Sequence, residues 1–169
     1  MATPRFRPPP PRQKAYVDTM GKALSRASRL APVEIASIMA TARACEKRIR
    51  EGVATEDQFI VLRTQLRIAM GIEHTGIVRG LHEHLTTALR ALDNIEQRSN
   101  TDSGWRQSPL DLHELDAIHE AIHLHEFQLQ QVSAGELRAV TQKLIAQTLC
   151  SGGETRSCNA RELGLEAAA

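Results

Sequence analysis

Apolar residues recur at spacings of three and four along most of this chain, which is the period of an amphipathic helix. Aromatic side chains make up only 3% of the residues. The core must therefore be built from Leu, Ile, Val, Ala and Met, a composition that suits packed helices better than a sheet of β-branched and aromatic runs. The pattern predicts an all-α fold, a single-domain helical bundle of five to six amphipathic helices.

Local signals place the ends of the first three helices. A first helix is expected over residues 14–30. Pro32 fits the first position of a second helix, which Gly52 closes. Thr55 and Gln58 have the spacing of a capping box, so the third helix is expected to begin there.

Breaks and caps divide the second half of the chain. We predict a break near Thr75 between the third helix and the fourth, with one long kinked helix as the alternative. The polar residues 99–107 form a loop, and its Trp105 is expected to fold back onto the bundle. Ser108 and Pro109 fit the cap and the first position of a fifth helix. No β-strand is expected anywhere in the sequence.

Both ends of the chain differ in composition from the middle. A capping box of Ser133 and Glu136 begins a sixth helix that ends near Cys150. Five of the seven prolines lie in the first eleven residues, interspersed with arginine, and such a segment cannot pack a core. The predicted organisation is a disordered basic Pro-rich arm at 1–13, a helical bundle domain at 14–150 and a flexible C-terminal tail at 151–169.

Cysteine usage and hydropathy bear on the compartment. The three cysteines are an odd number without CxxC spacing, which fits a reducing compartment better than a disulfide framework. No apolar stretch is long enough to span a bilayer, and the N-terminus lacks the apolar segment of a secretory signal. We therefore expect a cytoplasmic protein with no membrane partner.

The net charge of +1 hides an uneven distribution along the chain. Residues 1–53 carry eleven Lys/Arg and four Asp/Glu, whereas residues 54–132 carry six and twelve, giving net charges of +7 and −6. Such asymmetry indicates a partner for one region, self-association as a homodimer, or pairing of the two regions within one molecule.

The basic region supplies the predicted contact surface of a small intracellular, non-enzymatic interaction or regulatory protein that acts through helix-face contacts with a protein partner. The alternative for the same surface is a nucleic-acid-binding accessory protein, because clustered cations neutralise phosphates. The predicted contact residues are Arg5, Arg7, Arg12, Lys22, Arg26, Arg29, Arg43, Lys47 and Arg50.

The acidic region contains the string His119-Glu120-Ala121-Ile122-His123 on the predicted fifth helix. At about 100° per residue, both histidines lie on one flank, one turn apart, while Glu120 points to the other side. Two imidazoles so spaced can share a metal ion, and Asp116 or Glu126 on the same flank offers a further ligand or orients a ring.

This string resembles the HExxH zinc signature of zincin metalloproteases over five residues. The resemblance implies that His119 and His123 bind zinc and that Glu120 activates a metal-bound water. The longer metzincin pattern has Gly and His where this chain has Glu126 and Leu129, and the edge strand of those proteases has no counterpart here. We therefore predict no catalytic residue and no cofactor, and keep a zinc-dependent hydrolase or metal-binding protein as the alternative.

Two further side chains on apolar seams receive structural interpretations. His125 is expected to be a hydrogen-bonded core residue, and Cys45 a small hydrophobic residue of the second helix. The histidines of this region also suit a protonation switch, because imidazole titrates near neutral pH.

Overall fold

The computed structural model describes residues 21–102, 104–106 and 109–165, and almost all regular structure in them is helical. The helices are α1 (residues 21–27), α2 (Pro32–Arg50), α3 (Glu56–Thr75), α4 (His82–Ser99), α5 (Leu112–Gln131) and α6 (Ala134–Cys150). The predicted all-α bundle is confirmed. In the part of the chain that the structure describes, no helix is long and apolar enough to cross a membrane.

The core lies between α2, α3, α4 and α5. α3 packs against all the other three and against α6, while α5 also packs against α2 and α4. Each of the four helices contributes fully buried apolar side chains, such as Met39, Leu62, Leu92 and Leu129. Each such side chain contributes roughly 1.5–3 kcal/mol to stability. α6 is an outer helix, because Val140 is the one residue of α6 that is buried.

Several helix ends follow the predicted capping residues. The Thr55 hydroxyl accepts a hydrogen bond from the Gln58 backbone N–H at 3.3 Å, and the Gln58 side chain accepts one from the Thr55 N–H at 3.1 Å. Ser133 and Glu136 form the same reciprocal pair at the start of α6. The predicted break after Thr75 is confirmed, because Gly76 takes the left-handed conformation that ends α3.

One predicted helix start was wrong. α5 begins at Leu112 rather than at Pro109, because the Asp111 carboxylate accepts from the His113 N–H at 2.9 Å and completes a capping box with Glu114. α4 begins at His82, since the carboxylate of Glu73 accepts the N–H groups of residues 80 and 81 and holds them in a turn.

The loop before α5 contains a short antiparallel ribbon, contrary to the expectation of no strand. Its strands are β1 (Asn100–Thr101) and β2 (Gly104–Trp105). Trp105 is half-buried: its indole N–H donates to the Ala54 carbonyl at 3.1 Å, and its ring centroid lies 5.1 Å from that of Phe59. The prediction that this tryptophan folds back onto the bundle is confirmed.

The N-terminal boundary of the bundle is only partly described. The described part of α1 ends at residue 27 rather than at Leu30, and the chain then runs beside the start of α6, where the Ala134 N–H donates to the Ser28 carbonyl at 3.0 Å. The predicted disordered arm, residues 1–13, lies outside the described residues.

The C-terminal segment is anchored to the bundle at Leu163, and Leu165 also packs against the core. Leu163 is only 5% exposed, and its carbonyl accepts a hydrogen bond of 2.7 Å from the Gln58 side chain. Residues 151–162 are exposed. The prediction of a flexible tail over residues 151–169 did not include this anchor at Leu163.

Candidate functional site

His119 and His123 form a close pair on the exposed side of α5. Their Nε2 atoms are 3.2 Å apart, and the ring centroids are separated by 4.5 Å with the planes nearly perpendicular. Both histidines are exposed, so ions and small ligands have access to the two nitrogens. The predicted juxtaposition one helical turn apart is confirmed.

A carboxylate from another helix orients one of these rings. Glu46 of α2 lies 2.7 Å from His119 Nδ1 and is buried, at 8% exposure. Arg50 donates to the same carboxylate oxygen at 3.2 Å. Because a carboxylate oxygen only accepts, His119 donates its Nδ1–H to Glu46. In the neutral ring the lone pair is then on Nε2, the nitrogen that lies next to His123.

The other acidic residues near the motif have separate roles. Glu120 points away from the histidine pair, as expected, and its carboxylate lies 3.1 Å from His84 Nδ1 on α4. Glu126 forms a 2.5 Å ion pair with Arg43, while Asp116 is exposed on the same helix. Among residues 21–102, 104–106 and 109–165, no group of three or more His, Cys, Asp or Glu side chains is arranged to hold a metal ion.

His125 belongs to the core, as its position on the apolar seam predicts. It is 1% exposed, and its Nδ1 lies 3.4 Å from the amide oxygen of Gln128, whose amide nitrogen donates to the Ala69 carbonyl at 3.2 Å. Desolvation by burial lowers the pKa of His125 to about 4, against a smaller opposing effect of the Gln128 hydrogen bond.

Cys45 is also part of the core. Its side chain is fully buried, and this burial, with a smaller contribution from Cys158, raises the pKa of the thiol to about 11. A thiol in this state is a poor nucleophile, because the thiolate is the reactive form. Its interpretation as a small hydrophobic residue of α2 is consistent with this environment.

The predicted contact residues of the basic region do not form one continuous surface of unpaired cations. The three predicted contact residues on α2 each have a carboxylate partner: Arg43 pairs with Glu126, Lys47 with Glu51, and Arg50 with Glu46. Lys22, Arg26 and Arg29 are exposed at the other end of the basic region, and the predicted contact residues Arg5, Arg7 and Arg12 lie outside the described residues. The Arg43–Glu126 pair joins the basic region to the acidic one and so offsets part of the charge asymmetry within the molecule, whereas the other two pairs lie within the basic region.

An open groove between α3 and α6 was missed by the sequence reasoning. Its volume is about 810 Å³, and its apolar lining residues are Met70, Ile77, Leu89, Ala139, Val140 and Leu144. The two helices approach closely at Gly71, where an added Cβ would lie 2.6 Å from Val140 Cγ1. A glycine inside a helical stripe was the one sequence signal of this close approach.

The polar lining of the groove includes two cations, Arg67 of α3 and Lys143 of α6, and one carboxylate, Glu136. The uncharged side chains of Thr75 and Gln147 and the imidazole of His74 complete it. Glu136 is engaged in the α6 capping box. Arg67 and Lys143 form no ion pair with a carboxylate in the described ranges of the chain.

Comparisons with protein-family models, with curated proteins and with solved structures find no match to this chain.

Proposed function

We propose that the protein is a non-enzymatic helical interaction protein that binds an acidic, amphipathic helix of a protein partner in the groove between α3 and α6. The observation that carries the proposal is the groove itself, an open volume of about 810 Å³ with an apolar floor. The protein would still act through helix-face contacts, but with the groove as its contact surface. The basic face of α2 is less suitable, because Arg43, Lys47 and Arg50 have intramolecular partners.

The apolar floor suits a helix better than an extended peptide. Amphipathic helices bind by laying apolar side chains at spacings of three and four into a groove between two helices. Met70, Val140 and Leu144 provide such a floor, and Ile77, which also lines the groove, is 40% exposed. Covering these side chains would remove apolar surface from water, at about 25 cal/mol per Å² buried.

The charge of the rim selects the partner. Arg67 and Lys143 stand on opposite walls of the groove, each on the exposed side of its helix. A partner helix with Asp or Glu on the flanks of its apolar stripe would place a carboxylate near each cation. Electrostatic complementarity of this kind contributes to specificity and to the association rate.

The test uses nuclear magnetic resonance titration of the full chain with two synthetic helical peptides that share a Leu stripe and carry either Glu or Lys on the flanks. The Glu peptide should shift backbone resonances of α3 and α6, and the Lys peptide should bind at least about tenfold more weakly. Arg67→Glu/Lys143→Glu should reverse this preference, and Ala139→Trp, which fills the groove, should abolish binding of both peptides.

Arg90→Glu is the matched control, because Arg90 is an exposed cation of α4 that does not line the groove. Equal affinity for the two peptides, or equal loss in Arg90→Glu and Arg67→Glu/Lys143→Glu, would refute the proposal. Concentration-dependent dimerisation abolished by Ala139→Trp would identify a second copy of the chain as the occupant and would also contradict it.

A further inference from the structure

We propose that His119 and His123 form a two-histidine site for a borderline divalent metal ion such as Zn²⁺, and that Glu46 is the positioning residue of this site. The inference is independent of the groove between α3 and α6, since the histidine pair lies on α5 and Glu46 on α2.

The separation of the two nitrogens matches a shared metal ion. Zinc–imidazole bonds of about 2.0–2.1 Å at a tetrahedral angle place two ligand nitrogens about 3.3 Å apart. The Nε2 atoms of His119 and His123 are 3.2 Å apart. A single ion can therefore bind both rings without moving the backbone of α5.

Glu46 supplies the second feature of a built site. Histidine ligands of metals usually donate the other ring N–H to a carboxylate, which fixes the tautomer and raises the basicity of the ligand nitrogen. The 2.7 Å contact between His119 Nδ1 and the buried Glu46 carboxylate is of this type. Arg50 holds that carboxylate from one side, so the orientation of His119 is preset.

The tautomers of the two histidines are compatible with binding of a metal ion. Between two neutral rings, with His119 donating to Glu46, the 3.2 Å contact is a hydrogen bond in which His123 donates its Nε2–H to the His119 Nε2 lone pair. When the ion binds, His123 takes the tautomer that carries its proton on Nδ1, and both Nε2 lone pairs face the metal. Both histidines are exposed, so water completes the coordination.

The site is proposed for binding and not for hydrolysis. Glu120, the residue that the HExxH resemblance assigns to water activation, points away from the pair and contacts His84. The ring nitrogens also define the metal class, because imidazole suits zinc, copper and nickel, whereas Mg²⁺ prefers oxygen ligands.

The experiment is isothermal titration of the untagged full chain with Zn²⁺, and with Mg²⁺ in a separate run. We expect one Zn²⁺ per chain, no Mg²⁺ binding, and loss of the zinc site in His119→Ala/His123→Ala. Glu46→Gln keeps the shape of the side chain and removes its charge, so it should weaken zinc binding by about 10–100-fold. Imidazole nitrogen resonances should move on zinc addition at His119 and His123 first.

The matched control is His74→Ala/His82→Ala, which removes another pair of neighbouring rings, with centroids 5.9 Å apart. It should leave the zinc affinity unchanged. The inference is overturned if the wild-type chain binds no zinc or if the two double variants lose it equally. Unchanged affinity in Glu46→Gln would show an adventitious ion only, and would likewise overturn it.

Discussion

Arg43 and Glu126 form a 2.5 Å ion pair that joins α2 to α5, and with it the basic N-terminal third of the chain to its acidic, histidine-rich region. The nearby contact between Glu46 and His119 links the same two helices. The opposite charges of the two regions therefore contribute to packing within one molecule. A partner protein would therefore contact cations that have no such intramolecular carboxylate partner.

A charge swap tests this relationship. Arg43→Glu and Glu126→Arg each place like charges together and should lower the free energy of unfolding by about 1 kcal/mol, since both side chains are partly exposed. The double variant Arg43→Glu/Glu126→Arg restores opposite charges and should recover most of the loss. Urea unfolding at low and high salt measures the effect, and additive losses in the double variant would contradict it.

The crossing of α3 and α6 depends on the absence of a side chain at Gly71. Ala has the higher helix propensity, and by that effect alone Gly71→Ala would stabilise the protein by about 1 kcal/mol. Its Cβ would however lie 2.6 Å from Val140 Cγ1, so α6 has to shift. We expect a net loss of about 1–3 kcal/mol in the free energy of unfolding.

The second-site variant Gly71→Ala/Val140→Ala provides the control for that prediction. Removing the Val140 methyl groups makes room for the new Cβ, so the double variant should be more stable than the sum of the two single changes predicts. Strict additivity in thermal or urea unfolding would show that the close approach does not determine the cost.

Much of the fold could be predicted because its signals are local. Thr55 and Ser133 are recognisable caps, since each is followed at the third position by a residue that bonds back to it. The start of α5 was misplaced because Ser108-Pro109 and Asp111 with Glu114 are competing local signals, and the sequence alone does not rank them.

Contacts between distant segments could not be predicted from local patterns. The histidine pair follows from helical spacing, whereas its contact with Glu46 joins residues 73 positions apart. The groove exists only because α6 packs on α3. Likewise, Leu163 is held by a hydrogen bond from Gln58 of α3, which is distant in the sequence. Periodicity describes one helix at a time and therefore does not specify which helices meet.

The C-terminal anchor makes a stabilising contribution that the composition of the tail does not suggest. Leu163→Ala removes a side chain that is 5% exposed at the edge of the bundle, and it should lower the free energy of unfolding by about 2 kcal/mol. Leu149→Ala is the matched control, because Leu149 is 55% exposed and should tolerate the change. Equal effects of the two substitutions in urea unfolding would count against docking of this segment.

His125 gives the protein a specific dependence of stability on pH. Burial lowers its pKa to about 4 in the folded chain, whereas a histidine in the unfolded chain has its ordinary pKa of 6.5. Above pH 6.5 the residue is neutral in both states and adds no pH dependence. As the pH falls from 6.5 towards 4, the unfolded chain takes up a proton that the folded chain excludes, so stability decreases.

The measurement is urea unfolding between about pH 7.5 and about pH 4 for the wild type, His125→Leu and the exposed-site control His113→Gln. This range of about 3.5 pH units begins above the unfolded pKa and ends at the folded one. The wild type and His113→Gln should lose about 3 kcal/mol more than His125→Leu over this range, because 1.36 kcal/mol accompanies each unit of pKa difference. Gln128 keeps its hydrogen bond to the Ala69 carbonyl in the leucine variant, so the surrounding core retains one of its two polar contacts. Parallel pH curves for the wild type and His125→Leu would mean that His125 is not held neutral by burial.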